Sequence, residues 1–395
     1  MYPQKNLVLE AKSNLLQNYK RLPVEFTDGD GVYLYDNEGG EYLDFLCGIA
    51  VTGFGHSNSI IKRAVEEQLN SVWHVSNLFE SSEQEILAKK LAHKSGLEKV
   101  FFCNSGTEAN EAAIKFARKY GGEKTSIITA IGGFHGRTMG SLSASAQVKL
   151  WEGFHPLTPG FKYVPFNDAE AIRNSLTKDV IAIMLEPIQG EAGIILPSPG
   201  YLKEVEEICD EFGLLLILDE VQTGIGRTGK FFAHQWYNVH PDIITAAKGI
   251  ANGLPLGATI LSGKIAECIK PGDHGSTFGG NPLSVAAANS VLNLLSAETM
   301  AEISHIGNLF LNELIKINSP LIKNVRGLGL MIGIEFSEMA PASQIVELLL
   351  QKKVVACVAG RNTLRLLPPF IITKKHIIQF IESFTSILKA LHLDK

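Results

Sequence analysis

Six short runs in the middle of the chain are almost wholly apolar: Lys99–Asn104, Thr125–Ile131, Val180–Glu186, Leu214–Glu220, Asp242–Ala247 and Gly257–Gly263. Runs of this length without polar alternation predict strands buried on both faces, as in a parallel sheet covered by helices. Between them the spacing becomes helical. Ala109, Ala112, Ala113, Phe116, Ala117 and Tyr120 form one stripe, and Leu202, Val205, Cys209 and Phe212 repeat it within Tyr201–Phe212. Beyond Pro282 the pattern predicts a long helical stretch. Asn324–Phe336, Val354–Val358 and Thr363–Leu367 follow as short strands, then a terminal helix from about Lys374. Near the start, Asp30–Phe45 reads as a hairpin around Asn37-Glu38-Gly39-Gly40. The expected architecture is α/β. A large unit over residues 50–285 carries a mostly parallel sheet covered by helices, and a smaller α+β unit combines residues 1–49 with 286–395.

Composition narrows what such a chain can do. Of its 395 residues 45% are hydrophobic and 19% charged, the balance of a packed globular protein. The net charge of -5, with no long run of either sign, argues against nucleic acid or an anionic membrane as partner. The longest apolar runs fall far short of the ~18 residues a spanning helix needs, and Met1–Asn6 has no apolar signal core. Five scattered cysteines without a C-x-x-C pair read as reduced thiols, so a cytoplasmic protein is expected.

The glycine-rich stretch Gly224-Ile225-Gly226-Arg227-Thr228-Gly229 fits G-x-G-x-x-G, and with Lys230 almost a P-loop. A dinucleotide fingerprint turns straight from strand into helix, whereas five residues, Asp219–Thr223, intervene here. A mobile loop is the expected reading. The better anion site is Ser105-Gly106-Thr107-Glu108, which has capping-box spacing before the apolar helix. Its free N–H groups and the helix dipole suit a phosphate, although alone it is also an ordinary cap. The run Leu214–Leu218 delivers Asp219 and Glu220 at a strand end, where open α/β sheets bind ligands. Lys248 follows another such run, at a position where desolvation makes an amine nucleophilic. Each of these has a bland alternative as a solvated loop residue. Together, a phosphate cradle, an acid and a lysine at one sheet edge are the constellation that holds pyridoxal 5'-phosphate. No G-x-S-x-G, H-E-x-x-H or clustered Cys/His spacing competes, and no metal is expected; His135 and His155 are dispersed.

Ordered blocks along nearly the whole chain resemble the class III, fold-type I aminotransferases. They include Tyr42–Phe45 with Gly48–Val51, Ser76–Phe79, Phe101–Glu111, Phe134–Thr138, Glu186–Glu191, Leu218–Gly224, Ala247–Gly249, Ser276–Pro282 and Leu364–Pro369. The resemblance implies that Lys248 carries pyridoxal 5'-phosphate as a Schiff base. It further implies that Gly106 and Thr107 bind the phosphate, Phe134 stacks on the ring, and Asp219 pairs with the ring nitrogen. Gln222 would contact the ring hydroxyl, and the whole segment Asp219–Gln222, with Glu220 and Val221, would line the cofactor. Thr277 would reach the phosphate of the other subunit's cofactor, with Ser276 beside the substrate, making the functional unit a homodimer. Arg137 would take the substrate α-carboxylate as a bidentate fork, and Glu191 with Arg365 would open and close between amino donor and oxo acid. The reaction implied moves the δ-amino group of N2-acetyl-L-ornithine to 2-oxoglutarate, giving N-acetyl-L-glutamate 5-semialdehyde and L-glutamate, in arginine biosynthesis. Succinylornithine, ornithine and 4-aminobutyrate are the rival donors. A NAD- or NTP-dependent enzyme using Gly224–Lys230 is the rival of a different class.

Overall fold

The computed structural model describes residues 14–393; Met1–Asn6 and the rest of the opening segment lie outside the described residues. The described chain starts with a meander of β1 (Phe26–Asp30), β2 (Tyr33–Asp36) and β3 (Glu41–Asp44). β2 and β3 form the hairpin expected around residues 37–40. The central sheet then takes β4 (Lys99–Cys103), β5 (Ser126–Ala130), β6 (Phe161–Val164), β7 (Val180–Leu185), β8 (Leu215–Asp219), β9 (Ile243–Ala246) and β10 (Gly257–Leu261). Their order across the sheet is β4-β10-β9-β8-β7-β5-β6. β5 to β9 run parallel. β10 is antiparallel to both of its neighbours. The C-terminal ends of β4, β5, β7, β8 and β9 therefore open on one edge.

Burial on both faces explains the unbroken apolar runs. Ile183, Leu185, Leu216 and Leu218 pack under the helix Tyr201–Phe212. Their neighbours in sequence, Ala182, Met184, Leu215 and Ile217, pack on the other face with Ala112, Ala113, Phe116 and Ala117 of the helix Gly106–Gly121. Alternate strand residues face opposite ways, so a strand covered twice needs apolar side chains throughout. The ends of both predicted stripes drift outward: Tyr120 and Phe212 are exposed, and Ile208 completes the second stripe.

The C-terminal part departs from the sequence reading in three places. The helical stretch after Pro282 is two helices, Pro282–Leu294 and Ala297–Ile315, the second capped by Ser296. Asn324–Phe336 is a hairpin of β11 (Ile322–Leu328) and β12 (Met331–Phe336), reversed at Gly329. Val354–Val358 divides into β13 (Val354–Val355) and β14 (Cys357–Ala359). β13 joins β3 in parallel, whereas β14 pairs with β15 (Thr363–Leu366), so this stretch passes from one sheet to another at Ala356. The pairing of β13 with β3 joins the β1–β3 meander to the C-terminal part of the described chain. The last sheet has the order β11-β12-β15-β14.

The glycine-rich loop is a correction. Gly224–Gly229 is buried throughout and pinned from several sides. Arg227, 1% exposed, donates Nη1 to the carbonyls of Leu330 and Pro368, and its backbone oxygen accepts from Leu330. The Thr228 carbonyl accepts from Trp236 Nε1 at 3.1 Å. A Cβ at Gly229 would come within 2.8 Å of the Ser304 side chain, so glycine here serves close packing. Among the described residues no helix is long and apolar enough to cross a membrane.

Candidate active site

At the edge where the strand ends open lies a cavity of about 410 Å³. Its first wall is the start of the helix Gly106–Gly121. Ser105 is extended and caps it, its hydroxyl accepting from Glu108 N at 3.3 Å. The Glu108 carboxylate accepts from Asn104 N, one residue before the position a capping box would use. Among the described residues the N–H groups of Gly106 and Thr107 have no hydrogen-bond partner, and they point along the helix dipole. Gly106 is required by close approach: a Cβ there would stand 2.6 Å from Val221 Cγ1. Thr107 Oγ1 lies 2.9 Å from Thr138 Oγ1.

The second wall is the end of β8. Asp219 is 3% exposed, and three donors converge on its carboxylate. Val221 N reaches Oδ1 at 3.0 Å, while Asn110 Nδ2 and His135 Nδ1 reach Oδ2 at 2.7 and 2.8 Å. Asn110 is itself oriented by Thr245 Oγ1, at 2.7 Å. Burial acts to lower the His135 pKa, but the hydrogen bond and charge of Asp219 outweigh it and hold it above the usual imidazole value. Above this pair, Glu186 accepts from Phe134 N at 2.9 Å and Gly190 N at 3.2 Å. Burial, with Asp219 adding to it, pushes the Glu186 carboxyl up to about 7. The folded state thus holds this proton more firmly than the unfolded chain, and the advantage disappears as pH rises from the ordinary carboxylate range through about 7. Glu186→Gln cannot titrate. The fall of Tm with pH across that window is expected to flatten in this variant, and an unchanged slope would contradict the assignment.

Lys248 closes the cavity from the end of β9. It adopts φ +46°, a left-handed conformation that costs a non-glycine residue about 1–2 kcal/mol. Among the described residues its amine has no hydrogen-bond partner. Burial lowers its pKa below the ordinary lysine value, and Arg365 pushes the same way. Glu191, Asp219 and Glu186 act against that shift. An amine so placed spends more of its time neutral, which nucleophilic attack on a carbonyl carbon requires.

Phe134, Arg137, Val221 and Gln222 also line the cavity, and the Arg137 guanidinium lies 5.7 Å from the Phe134 ring centre. Beside them Arg365, 2% exposed, is ion-paired with Glu191 and donates to Gln222 Oε1 at 3.3 Å. The charge of Arg365 holds the Glu191 carboxyl below its usual value against the opposing effect of burial. Glu220 is not brought here. Successive strand-end side chains diverge, and its carboxylate turns into the interior to accept from Thr223 Oγ1 and from the backbone N–H groups of Ala233 and His234. Ser276 and Thr277 do not line the cavity of their own chain. The Ser276 hydroxyl accepts from Asn104 Nδ2 at 3.0 Å, and Thr277 is exposed. Sequence reasoning missed Asn110, Glu186 and the pairing of His135. Asn110 lies within the block Phe101–Glu111, and only that block membership could have marked it.

These groups fit pyridoxal 5'-phosphate. Two unpartnered N–H groups and a hydroxyl form an anion cradle at one end. A buried carboxylate stands at the other end, and an unpaired amine with depressed pKa lies between them. The comparisons agree with the geometry. The model of the family described as aminotransferase class-III matches residues 15–388. An acetylornithine aminotransferase of Methanocaldococcus jannaschii is 45% identical, with 98% of this chain and 100% of that protein covered. The ornithine aminotransferase of Toxoplasma gondii ME49 superposes with a TM-score of 0.93 at 31% identity, covering 97% of this chain and 94% of that one. The N-acetylornithine aminotransferase of Stenotrophomonas maltophilia K279a gives 0.83 at 35% identity, covering 95% and 98%. The chain therefore belongs to the class-III aminotransferases, which are pyridoxal 5'-phosphate-dependent enzymes of fold type I.

Proposed function

We propose that the protein transfers the δ-amino group of N2-acetyl-L-ornithine to 2-oxoglutarate, giving N-acetyl-L-glutamate 5-semialdehyde and L-glutamate, in the cytoplasm. The observation that carries this reading is the ion pair of buried Arg365 with partly exposed Glu191, beside a cavity that also holds Arg137. Identity of 45% to an acetylornithine aminotransferase supports the choice of donor. The acetylated donor brings one carboxylate, whereas glutamate and 2-oxoglutarate bring two. Arg137, exposed at the cavity, serves the single carboxylate of the donor. A bare Arg365 would offer the donor an unmatched positive charge, and Glu191 neutralises it. When a diacid arrives, Glu191 moves aside on the small residues Gly190, Ala192 and Gly193, and Arg365 takes the second carboxylate.

The bound cofactor supplies an electron-accepting ring conjugated to the reacting carbon. Lys248, with its pKa lowered by burial at the end of β9, would hold the cofactor through its amine. When not engaged in holding the cofactor, the same amine would serve as the base that moves a proton at the reacting substrate carbon. Asp219, held by Asn110 and His135, keeps a proton on the ring nitrogen. Of the residues lining the cavity, Gly106 and Thr107 would hold the phosphate, Phe134 and Val221 would hold the ring, and Gln222 would serve its hydroxyl. Thr277 and Ser276 serve the site across a homodimer, which accounts for their absence from their own cavity. The two-part organisation proposed, residues 50–285 against the two chain ends, is supported by the β3–β13 pairing.

Single-turnover kinetics of each half-reaction test the switch. Arg365→Ala is expected to slow the glutamate half-reaction about 100-fold while changing the N2-acetylornithine one less than about fivefold, in line with the loss of a charged hydrogen-bond pair. Arg137→Ala should impair both half-reactions, and Glu191→Ala should raise activity with glutamate. Equal losses in both half-reactions for Arg365→Ala would leave that residue a general structural role.

A further inference from the structure

Arg365 lies on β15 between β12 and β14, and strand register fixes what stands beside it. Gly333 is its partner on β12 and Cys357 its partner on β14. Gly333 brings no side chain. Cys357 brings a sulfur that accepts the Arg365 Nε–H at 3.3 Å. Nη1 is shared between Glu191 and Gln222 Oε1. Among the described residues, Nη2 has no hydrogen-bond partner.

These three acceptors differ in what they can do when a substrate carboxylate arrives. Glu191 is anionic, its side chain 30% exposed, and it sits in a turn two residues before Gly193, which has φ +113°. It competes with an incoming carboxylate and has room to leave. Cys357 is fixed on a strand paired with β15, and burial pushes its thiol pKa up, so the sulfur is a neutral acceptor. A neutral acceptor on Nε neither cancels the guanidinium charge nor occupies the Nη1/Nη2 edge that a carboxylate uses.

We infer that Cys357 is a positioning residue for diacid recognition: its sulfur, with Gln222, keeps the Arg365 guanidinium aimed after Glu191 departs, so that Nη1 and Nη2 form a ready fork for the distal carboxylate of glutamate or 2-oxoglutarate. The inference rests on the reading that Arg365 receives that carboxylate. Without the sulfur, Nε–H would be left buried and unpaired whenever the fork is in use, and the planar group would turn to satisfy it. The effect is confined to the diacid, because the acetylated donor meets Arg365 already neutralised by Glu191.

The test measures binding of glutarate, a diacid that cannot react, to the cofactor-loaded enzyme by calorimetry, together with both half-reactions in single turnover. Cys357→Ala and Cys357→Val each remove the acceptor, and valine keeps the volume filled. Both are expected to weaken glutarate and glutamate binding about threefold to tenfold, the range for one hydrogen bond to a buried charged group. The limiting rate with glutamate and both parameters with N2-acetylornithine should stay within about twofold. Cys357→Ser restores an acceptor and should recover most of the loss. Unchanged glutarate binding in both apolar variants, with Arg365→Ala strongly impaired, overturns the role of Cys357 and leaves the parent reading intact. Normal glutarate binding by Arg365→Ala overturns both. Equal losses with the two donors, unrelieved by serine, reduce Cys357 to a packing residue.

Discussion

Lys248→Ala is expected to abolish transamination, with a loss on the order of 10⁴-fold or more in either half-reaction, while the protein stays folded. Among the described residues the side chain has no hydrogen-bond partner, so its removal leaves none of them unpaired, and neighbouring Ile250 and Ala251 remain packed in the core. What disappears is the proposed nucleophile, together with the amine that would pass a proton from substrate carbon to cofactor. The helix start at Gly106 and Thr107, proposed to hold the phosphate, is untouched, so the variant should still retain cofactor without a covalent link. Absorbance on addition of L-glutamate or N2-acetylornithine, and borohydride reduction followed by peptide mapping, check this. Turnover within tenfold of the parent, or a reduced label on any other lysine, would remove Lys248 from its role.

Asp219→Asn is expected to lower the rate of both half-reactions by about 10²–10³-fold, the scale for removing one preorganised electrostatic partner from a buried site. Cofactor affinity should fall less than about tenfold, because the anion cradle lies on a different element. An amide cannot hold a proton on the ring nitrogen, and it also loses the charge that keeps His135 above its ordinary pKa. The imidazole should therefore titrate at lower pH in the variant, which NMR of His135 can follow. A fully active Asp219→Asn enzyme at saturating cofactor would contradict the assignment. A fall in cofactor affinity with an unchanged limiting rate would contradict it as well.

Much of the frame was legible because its causes are local. A run such as Val180–Leu185 is apolar at every position since both of its faces are covered, and that constraint is written in consecutive residues. The capping signal at Ser105 and Glu108 needs only neighbours in sequence, and it marked the helix start that lines the cavity. Asp219 and Lys248 were legible as strand-end residues for the same reason. Glu220 was not separable from Asp219 on that evidence. Adjacent residues leave a strand in opposite directions, and which direction meets the cavity depends on the elements around it.

What the tertiary structure alone decided lies where distant segments impose a geometry on each other. Cys47, Gly48, Ile49 and Ala50 form a left-handed turn at φ +52° to +69°, held where Asp44 Oδ1 accepts from Leu46 N and Cys47 N at 2.9 Å. No local propensity favours four such residues in a row, three of them not glycine. The glycine-rich loop looked free in sequence and is locked because Arg227 reaches Leu330 and Pro368, more than a hundred residues later. His135 and Asn110 gained their meaning only when β5, β8 and the helix Gly106–Gly121 met at Asp219. Register placed Cys357 opposite Arg365. The sequence by itself determined the strands, the helix stripes and the residue types the chemistry needs, since each follows from neighbours within a turn or a strand. Which of those side chains face one another was decided by sheet order and register, because contact across a fold depends on packing among residues far apart in the chain.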